Sequence, residues 1–368
     1  MNKIEKLVRD DIKKIAPYVP GKPIEELQRA YGLDIEKIVK LASNENPLGP
    51  SPKAVEALKN CAEKISRYPE SSGYYLKNKI SEVFNQPQEN IILGSGSSEI
   101  ISMGMELFLN PDDEVIFPTP SFLIYKILAY KIGAIPVEIP LKEDFSYNLN
   151  MFLERITPKT KVIILCNPNN PTGTIIYREQ IDEFIEQVPD DILIISDEAY
   201  IEYVDIDDFG TAYPYLYKKN IIITRTLSKI YGLAGLRIGF GIASKDIIEF
   251  MERIRPPFNT TIPAQEAGIA ALDDQDYVKK SFENNVTGKS YLYDAFNYLK
   301  IDYIPTYANF ILCRIPNASR VVNELEKKGI IIRGMFGMGP EYVRITIGTP
   351  EENKLLIKNL REILGDKL

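Results

Sequence analysis

Residues 226–241 read TLSKIYGLAGLRIGFG, a hydroxyl-bearing turn, one lysine, and a glycine-studded apolar run that carries a single arginine. Lys229 and Arg237 are the only charges in a stretch that is otherwise small or greasy. A lysine on a surface needs no explanation, since most lysines are solvated. A partly desolvated lysine is a different reagent, because its amine forms Schiff bases with carbonyls. Arg237, read as the start of the strand RIGFGIA at 237–243, offers the planar fork that suits a phosphate.

Outward from this stretch, short β-branched runs recur with helical spacers between them. They are NIIL at 90–93, EVIF at 114–117, KVIIL at 161–165, ILIIS at 192–196 and IIIT at 221–224. Strands apolar on both faces, alternating with helices, predict a mostly parallel sheet covered on both sides. SSEIISMGMELFL at 97–109 and REQIDEFIEQV at 178–188 have the helical period and read as crossover helices. After ERIRPPFNTTIP at 252–263 the pattern becomes one long helical stretch at 264–299. The runs YANFILCRI, GIIIRGM and EYVRITIG follow as strands, and PEENKLLIKNLREIL as a last helix. The chain is therefore divided into an arm at 1–40, a large domain at 41–260 and a small domain at 261–368, with the arm packing on the small domain or on a partner subunit.

Composition narrows the function. At 368 residues, 45% hydrophobic and 26% charged, the chain reads as an ordinary soluble globular protein with a sizeable core. Its formal net charge is −7 with no basic stripe, which argues against a nucleic-acid backbone as partner. Cys61, Cys166 and Cys313 are far apart and form no CxxC pair, so neither zinc nor a disulfide framework is expected. The charged start MNKIEKLVRDDIKKIAP is not a signal peptide, and the apolar runs are strand-length, so the expectation is a cytoplasmic protein with no membrane span. The chain has no histidine, which leaves catalysis to lysine, tyrosine, carboxylates or a bound cofactor.

Ligands of open α/β sheets bind at the carboxyl ends of the strands, and three junctions there stand out. LGSGSSE at 93–99 opens a helix and can hold an anion on backbone N–H groups and hydroxyls, although Gly and Ser at a helix start are also ordinary capping chemistry. In LCNPNNPTG at 165–173 the prolines fix a rigid turn that would point Asn167 into the cleft, or mark a turn and nothing more. SDEAYIEY at 196–203 puts Asp197 at a strand end, where it serves either the cleft or a helix N-cap.

Together these segments resemble the fold-type I pyridoxal-phosphate enzymes, and the opening stretch is similar to that family's lysine motif. The resemblance runs through LASNENPLGP at 41–50, RYPE at 67–70, CNPNNPTG, DEAYIEY, IIIRGM and VRITIGTPEEN, and is strongest to the histidinol-phosphate aminotransferases. It implies an α/β fold with a mostly parallel, mixed seven-stranded sheet sandwiched by helices, plus a smaller α+β domain. It implies Lys229 as the residue that binds pyridoxal phosphate as an internal aldimine and then moves the substrate's α-proton, with Asp197 on the pyridine nitrogen as the electron-sink partner. Asn167 and Tyr200 would hydrogen-bond the 3′-oxygen and Phe122 would stack on the ring. Ser97 with its neighbours Ser95, Gly96 and Ser98 would hold the phosphate, together with Thr226, Ser228, Arg237 and Tyr68 reaching from the other subunit of a homodimer. The glycines between Lys229 and Arg237 would let the backbone pass close beside the cofactor. Asn44, Arg333, Arg344 and Tyr18 would contact the substrate, with Arg344 receiving a carboxylate or phosphate, and an arm around Tyr18 acting as a lid.

The implied reaction is transamination of histidinol phosphate with 2-oxoglutarate in histidine biosynthesis. An aromatic amino-acid aminotransferase, or a decarboxylase of a phosphorylated amino acid such as threonine phosphate, would share the same core. A pyridoxal-phosphate-sensing regulator would be expected to add a DNA-binding module, and only about forty residues precede LASNENP.

Overall fold

The computed structural model describes residues 4–17, 21–335 and 337–365. The first strand, β1 (Val39–Leu41), belongs to the smaller of two sheets. The larger sheet is made of β2 (Ile91–Gly94), β3 (Glu114–Thr119), β4 (Ile135–Pro140), β5 (Thr160–Cys166), β6 (Leu193–Asp197), β7 (Ile221–Thr226) and β8 (Gly239–Ala243), in the order β2-β8-β7-β6-β5-β3-β4. β4, β3, β5, β6 and β7 pair parallel, and β8 lies antiparallel to both of its neighbours, β7 and β2.

The reason for the antiparallel strand lies in the opening stretch. A parallel return would need a crossover helix, and residues 227–238 contain none, so the chain turns back at the same edge it left. That turn carries Lys229 and Arg237, which places both at the carboxyl ends of the parallel strands.

Both faces of the sheet are covered, which is why its strands are apolar throughout. In β5, Val162, Ile163, Ile164 and Leu165 are all fully buried, and alternate members belong to the clusters on opposite faces. Each such side chain contributes about 1.5–3 kcal/mol on removal from water. Within this sheet, β4 is the strand that no sequence run announced. Its IPVEIP segment carries two prolines, which weaken a strand signal and are best accommodated on an edge strand such as β4.

β9 (Asp302–Ile304), β10 (Phe310–Arg314), β11 (Ile330–Gly334) and β12 (Tyr342–Thr346) complete the five-stranded sheet, ordered β1-β11-β12-β10-β9. β1 pairs parallel with β11, and the arm helix Ile24–Tyr31 buries Leu27 against Ile38, Ala42 and Ile331, so this part of the arm packs on the small unit. The expected helix at 264–299 is two helices, Ile262–Leu272 and Gln275–Leu299. Asp273 and Asp274 separate them, and aspartate is a poor helix-interior residue. The last helix, Pro350–Leu364, begins with a capping box between Thr349 and Glu352. Among the described residues no helix is long and apolar enough to cross a membrane.

Candidate active site

A cavity of about 300 Å³ opens where the carboxyl edge of the large sheet meets β11 and β12. β6 delivers Asp197, β7 delivers Thr226, and the turn after β7 delivers Ser228, Lys229 and Arg237. The segment after β3 adds Phe122, the helix Ser97–Phe108 adds Ser97 and Ser98, and the residues after β1 add Asn44. From the small sheet come Arg333 on β11 and Arg344 on β12, directly opposite each other in register.

Lys229 faces this cavity with its Nζ 5.4 Å from the centre of the Tyr200 ring. Burial first, and then the Arg344 guanidinium, lower its pKa from the ordinary 10.5 to about 8. An amine so placed is available in neutral, nucleophilic form near physiological pH. Tyr200 is itself buried, which raises its pKa and keeps it a phenol, and its oxygen accepts hydrogen bonds from Asn44 Nδ2 at 3.0 Å and Asn170 Nδ2 at 3.4 Å. Asn44 adopts the left-handed conformation at φ 56° and is anchored by its N–H to Thr346 Oγ1 at 3.0 Å.

Asp197 is buried, and desolvation raises its pKa against the pull of its hydrogen bonds. Tyr125 Oη donates to one carboxylate oxygen at 2.7 Å and Thr224 Oγ1 to the other at 3.0 Å.

The anion-binding end is built by the backbone. The helix Ser97–Phe108 has Gly96 at its N-cap and no side-chain cap, and its first residues, Ser97 and Ser98, line the cavity. Gly96 sits at φ +80°, and a Cβ there would meet Arg237 Nη2 at 2.5 Å. The guanidinium thus lies against the helix start, where the backbone dipoles already favour an anion. Arg237 is not the beginning of a strand as the sequence suggested. It ends a short turn in the left-handed conformation at φ 53°, two positions before β8, and its Nη1 donates to Ala234 O at 3.0 Å and Ser228 Oγ at 3.3 Å. A non-glycine residue held there costs about 1–3 kcal/mol, a strain of the sort that collects at functional sites.

Several expected contacts are elsewhere. Asn167 does not face the cavity. It extends β5 by one residue, its N–H donates to Asp197 O at 2.9 Å, and its side chain is spent on Gly210 O at 2.6 Å and Ile176 N at 2.9 Å. Asn170 takes the cavity position, bridging Tyr200 and Arg344, whose Nη1 donates to Asn170 Oδ1 at 2.6 Å. Of the two Asn-Pro pairs in NPNNPTG, the structure turns the first asparagine inward and the second to the cavity. Ser95 also lies outside the cavity lining, with its N–H donating to Glu99 Oε2 at 2.7 Å. Gly232 does not line it either. It sits at φ +70°, and a Cβ there would collide with the Gly49 carbonyl, so this glycine lets the turn dock onto the segment after LASNENP. Tyr68 is 79% exposed and stacks on Phe258 at 4.5 Å, away from the cavity of its own chain. Tyr18 lies outside the described residues. Ser121, Leu123 and Met335 line the cavity and carried no signal in the sequence.

Residues 36–360 match the family model of class I and II aminotransferases. The chain is 45% identical over 362 residues to a histidinol-phosphate aminotransferase of Moorella thermoacetica, covering 97% of this chain and 93% of that one. It is 44% identical to the histidinol-phosphate aminotransferase of Caldicellulosiruptor saccharolyticus, covering 97% of this chain and all of that one. The crystal structure of histidinol-phosphate aminotransferase from Sinorhizobium meliloti in complex with pyridoxal-5′-phosphate superimposes with a TM-score of 0.88 at 25% identity, covering 97% of both chains. The sheet order, the cavity and these likenesses agree, and the chain belongs to the class I and II aminotransferases.

Proposed function

We propose that this enzyme uses pyridoxal phosphate to exchange an amino group between histidinol phosphate and 2-oxoglutarate. The observation that carries the reading is one cavity with Lys229 between an anion cradle on the large sheet and an arginine pair on the small one.

The residues fit the cofactor. The helix start at Ser97 and Ser98, with Ser228, Thr226 and Arg237, suits its phosphate, and the close approach of Arg237 to Gly96 leaves no room for a side chain there. Asp197 would meet the ring nitrogen, Asn170 and Tyr200 the ring hydroxyl, and Phe122 one ring face. When bound, the cofactor supplies the electron sink that amino-group transfer needs. Lys229 would hold it, and the same amine is placed to take the proton from the substrate's α-carbon.

Arg333 and Arg344 support a strongly anionic substrate. Two guanidiniums on facing strands that line one cavity offer planar forks suited to a phosphate or a carboxylate. Both partner substrates carry such a group. The exposed aromatic surface of Tyr68, Tyr74, Tyr75 and Phe258 supports a homodimer in which Tyr68 reaches the phosphate end of the neighbouring site. The biosynthetic reaction supports a cytoplasmic setting.

The test is glutamate formation from histidinol phosphate and 2-oxoglutarate by the purified holoenzyme. Steady turnover is the expected result. Turnover of phenylalanine alone, or carbon dioxide release from threonine phosphate, would replace the assignment with one of its two relatives.

A further inference from the structure

The short helix Ile124–Ile132 places Tyr125 at a corner that the reaction as described does not use. Its side chain is fully buried in the apolar layer under the large sheet, among Phe117, Val115 and Ile164. A core position that needed only an aromatic ring would be served by phenylalanine, because a hydroxyl taken out of water is costly unless it is partnered. Tyr125 Oη is partnered by Asp197 Oδ2 at 2.7 Å. Its ring also meets Phe122 edge-on, at 5.8 Å between centroids and 85° between planes.

We propose that Tyr125 is a positioning residue for Asp197, holding the carboxylate oriented and anionic toward the cofactor's ring nitrogen while bracing Phe122 against the ring face. The inference rests on the place of Asp197 given above. The side-chain donors to Asp197, Tyr125 and Thr224, are both neutral hydroxyls, and a backbone N–H at Ala199 adds to them, so the carboxylate is held by neutral donors that do not compete with a protonated ring. The hydrogen bond from Tyr125 is the largest influence opposing the desolvation of Asp197. Burial and the neighbouring carboxylate raise the phenol's own pKa, so Tyr125 remains the donor.

The experiment compares Tyr125→Phe, Asp197→Asn and the double variant with wild-type holoenzyme. Four quantities are read: the cofactor dissociation constant, the ratio of the visible absorbance bands at fixed pH, kcat and KM for glutamate, and the unfolding temperature of cofactor-free protein. A lost hydrogen bond to a buried charge predicts that Tyr125→Phe weakens cofactor binding about tenfold or more and changes the band ratio. It predicts a similar fall in kcat with KM for glutamate within about twofold. In the Asp197→Asn background the same substitution changes cofactor affinity by less than about threefold, because the two act as a unit.

An unchanged affinity and spectrum in Tyr125→Phe overturns the proposal. So does an equal loss in both backgrounds, which would make Tyr125 a packing residue, and so does a cofactor-free Tyr125→Phe chain that does not fold. If Asp197→Asn alone binds and reacts like wild type, it is the role of Asp197 that fails, and the outcomes are thereby kept apart.

Discussion

The two halves of the cavity are made by different sheets and differ in how they are held. On the large-sheet side Asp197, Thr226 and Ser228 are buried at the ends of parallel strands or in the turn that follows. Arg237 is bonded to its own turn there, and Asp197 is gripped by two hydroxyls. On the small-sheet side Arg333 and Arg344 stand opposite each other, half-buried, on antiparallel strands, next to Met335. On the proposed reading the first half holds a cofactor that is the same in every turnover, and the second meets molecules that change between half-reactions. Rigid preorganisation suits the former, and a pair of guanidiniums that accepts either a phosphate or a carboxylate suits the latter.

If that division is real, substitutions on the two sides should fail differently. The largest effect belongs to Lys229→Ala, which removes both the cofactor's anchor and the proton carrier; steady-state turnover should fall at least about 10⁴-fold with every amino donor. Asp197→Asn should lower kcat about 10³-fold, again independently of donor, as measured by single-turnover absorbance. Arg344→Ala should lower kcat/KM for histidinol phosphate and for glutamate about 10²-fold while shifting the cofactor's visible spectrum far less than Asp197→Asn does. A spectrum as disturbed as that of Asp197→Asn would break the division.

The smallest effect is on pH dependence. Lys229 has its pKa lowered to about 8, so its neutral form gains as pH rises through that value. Capture of pyridoxal phosphate by cofactor-free enzyme, followed by stopped flow, should therefore quicken about tenfold between about pH 7 and about pH 9 and level off above. A midpoint near the ordinary lysine value of 10.5 would show that burial does not tune this amine.

The same division governs what the sequence revealed. Strands buried on both faces announce themselves as apolar runs, so β5, β6 and β7 were legible to within a residue or two. Motifs fixed by backbone geometry were legible too, because TLSK and SGSS sit at strand ends and have little freedom. Side-chain direction was not. Asn167 and Asn170 are both Asn-Pro in one short turn, and only the extra backbone pair to Asp197 O sends the first inward and leaves the second to the cavity. Arg237 looked like a strand start because RIGFGIA is apolar and β-branched, yet the left-handed turn that aims its guanidinium at Gly96 leaves no trace in residue type. Tyr125 was invisible for another reason: in IYKILAY it is one aromatic among several, and its partner Asp197 lies far away in sequence.

The central claim is that the cavity selects histidinol phosphate as the amine for amino-group transfer at Lys229. Its most direct test is single-turnover conversion of the cofactor with histidinol phosphate, phenylalanine and threonine phosphate in parallel, read as kcat/KM. Histidinol phosphate is expected to lead by at least about tenfold, or about 1.4 kcal/mol of transition-state discrimination. Phenylalanine reacting as well as histidinol phosphate, or threonine phosphate reacting better, would contradict it.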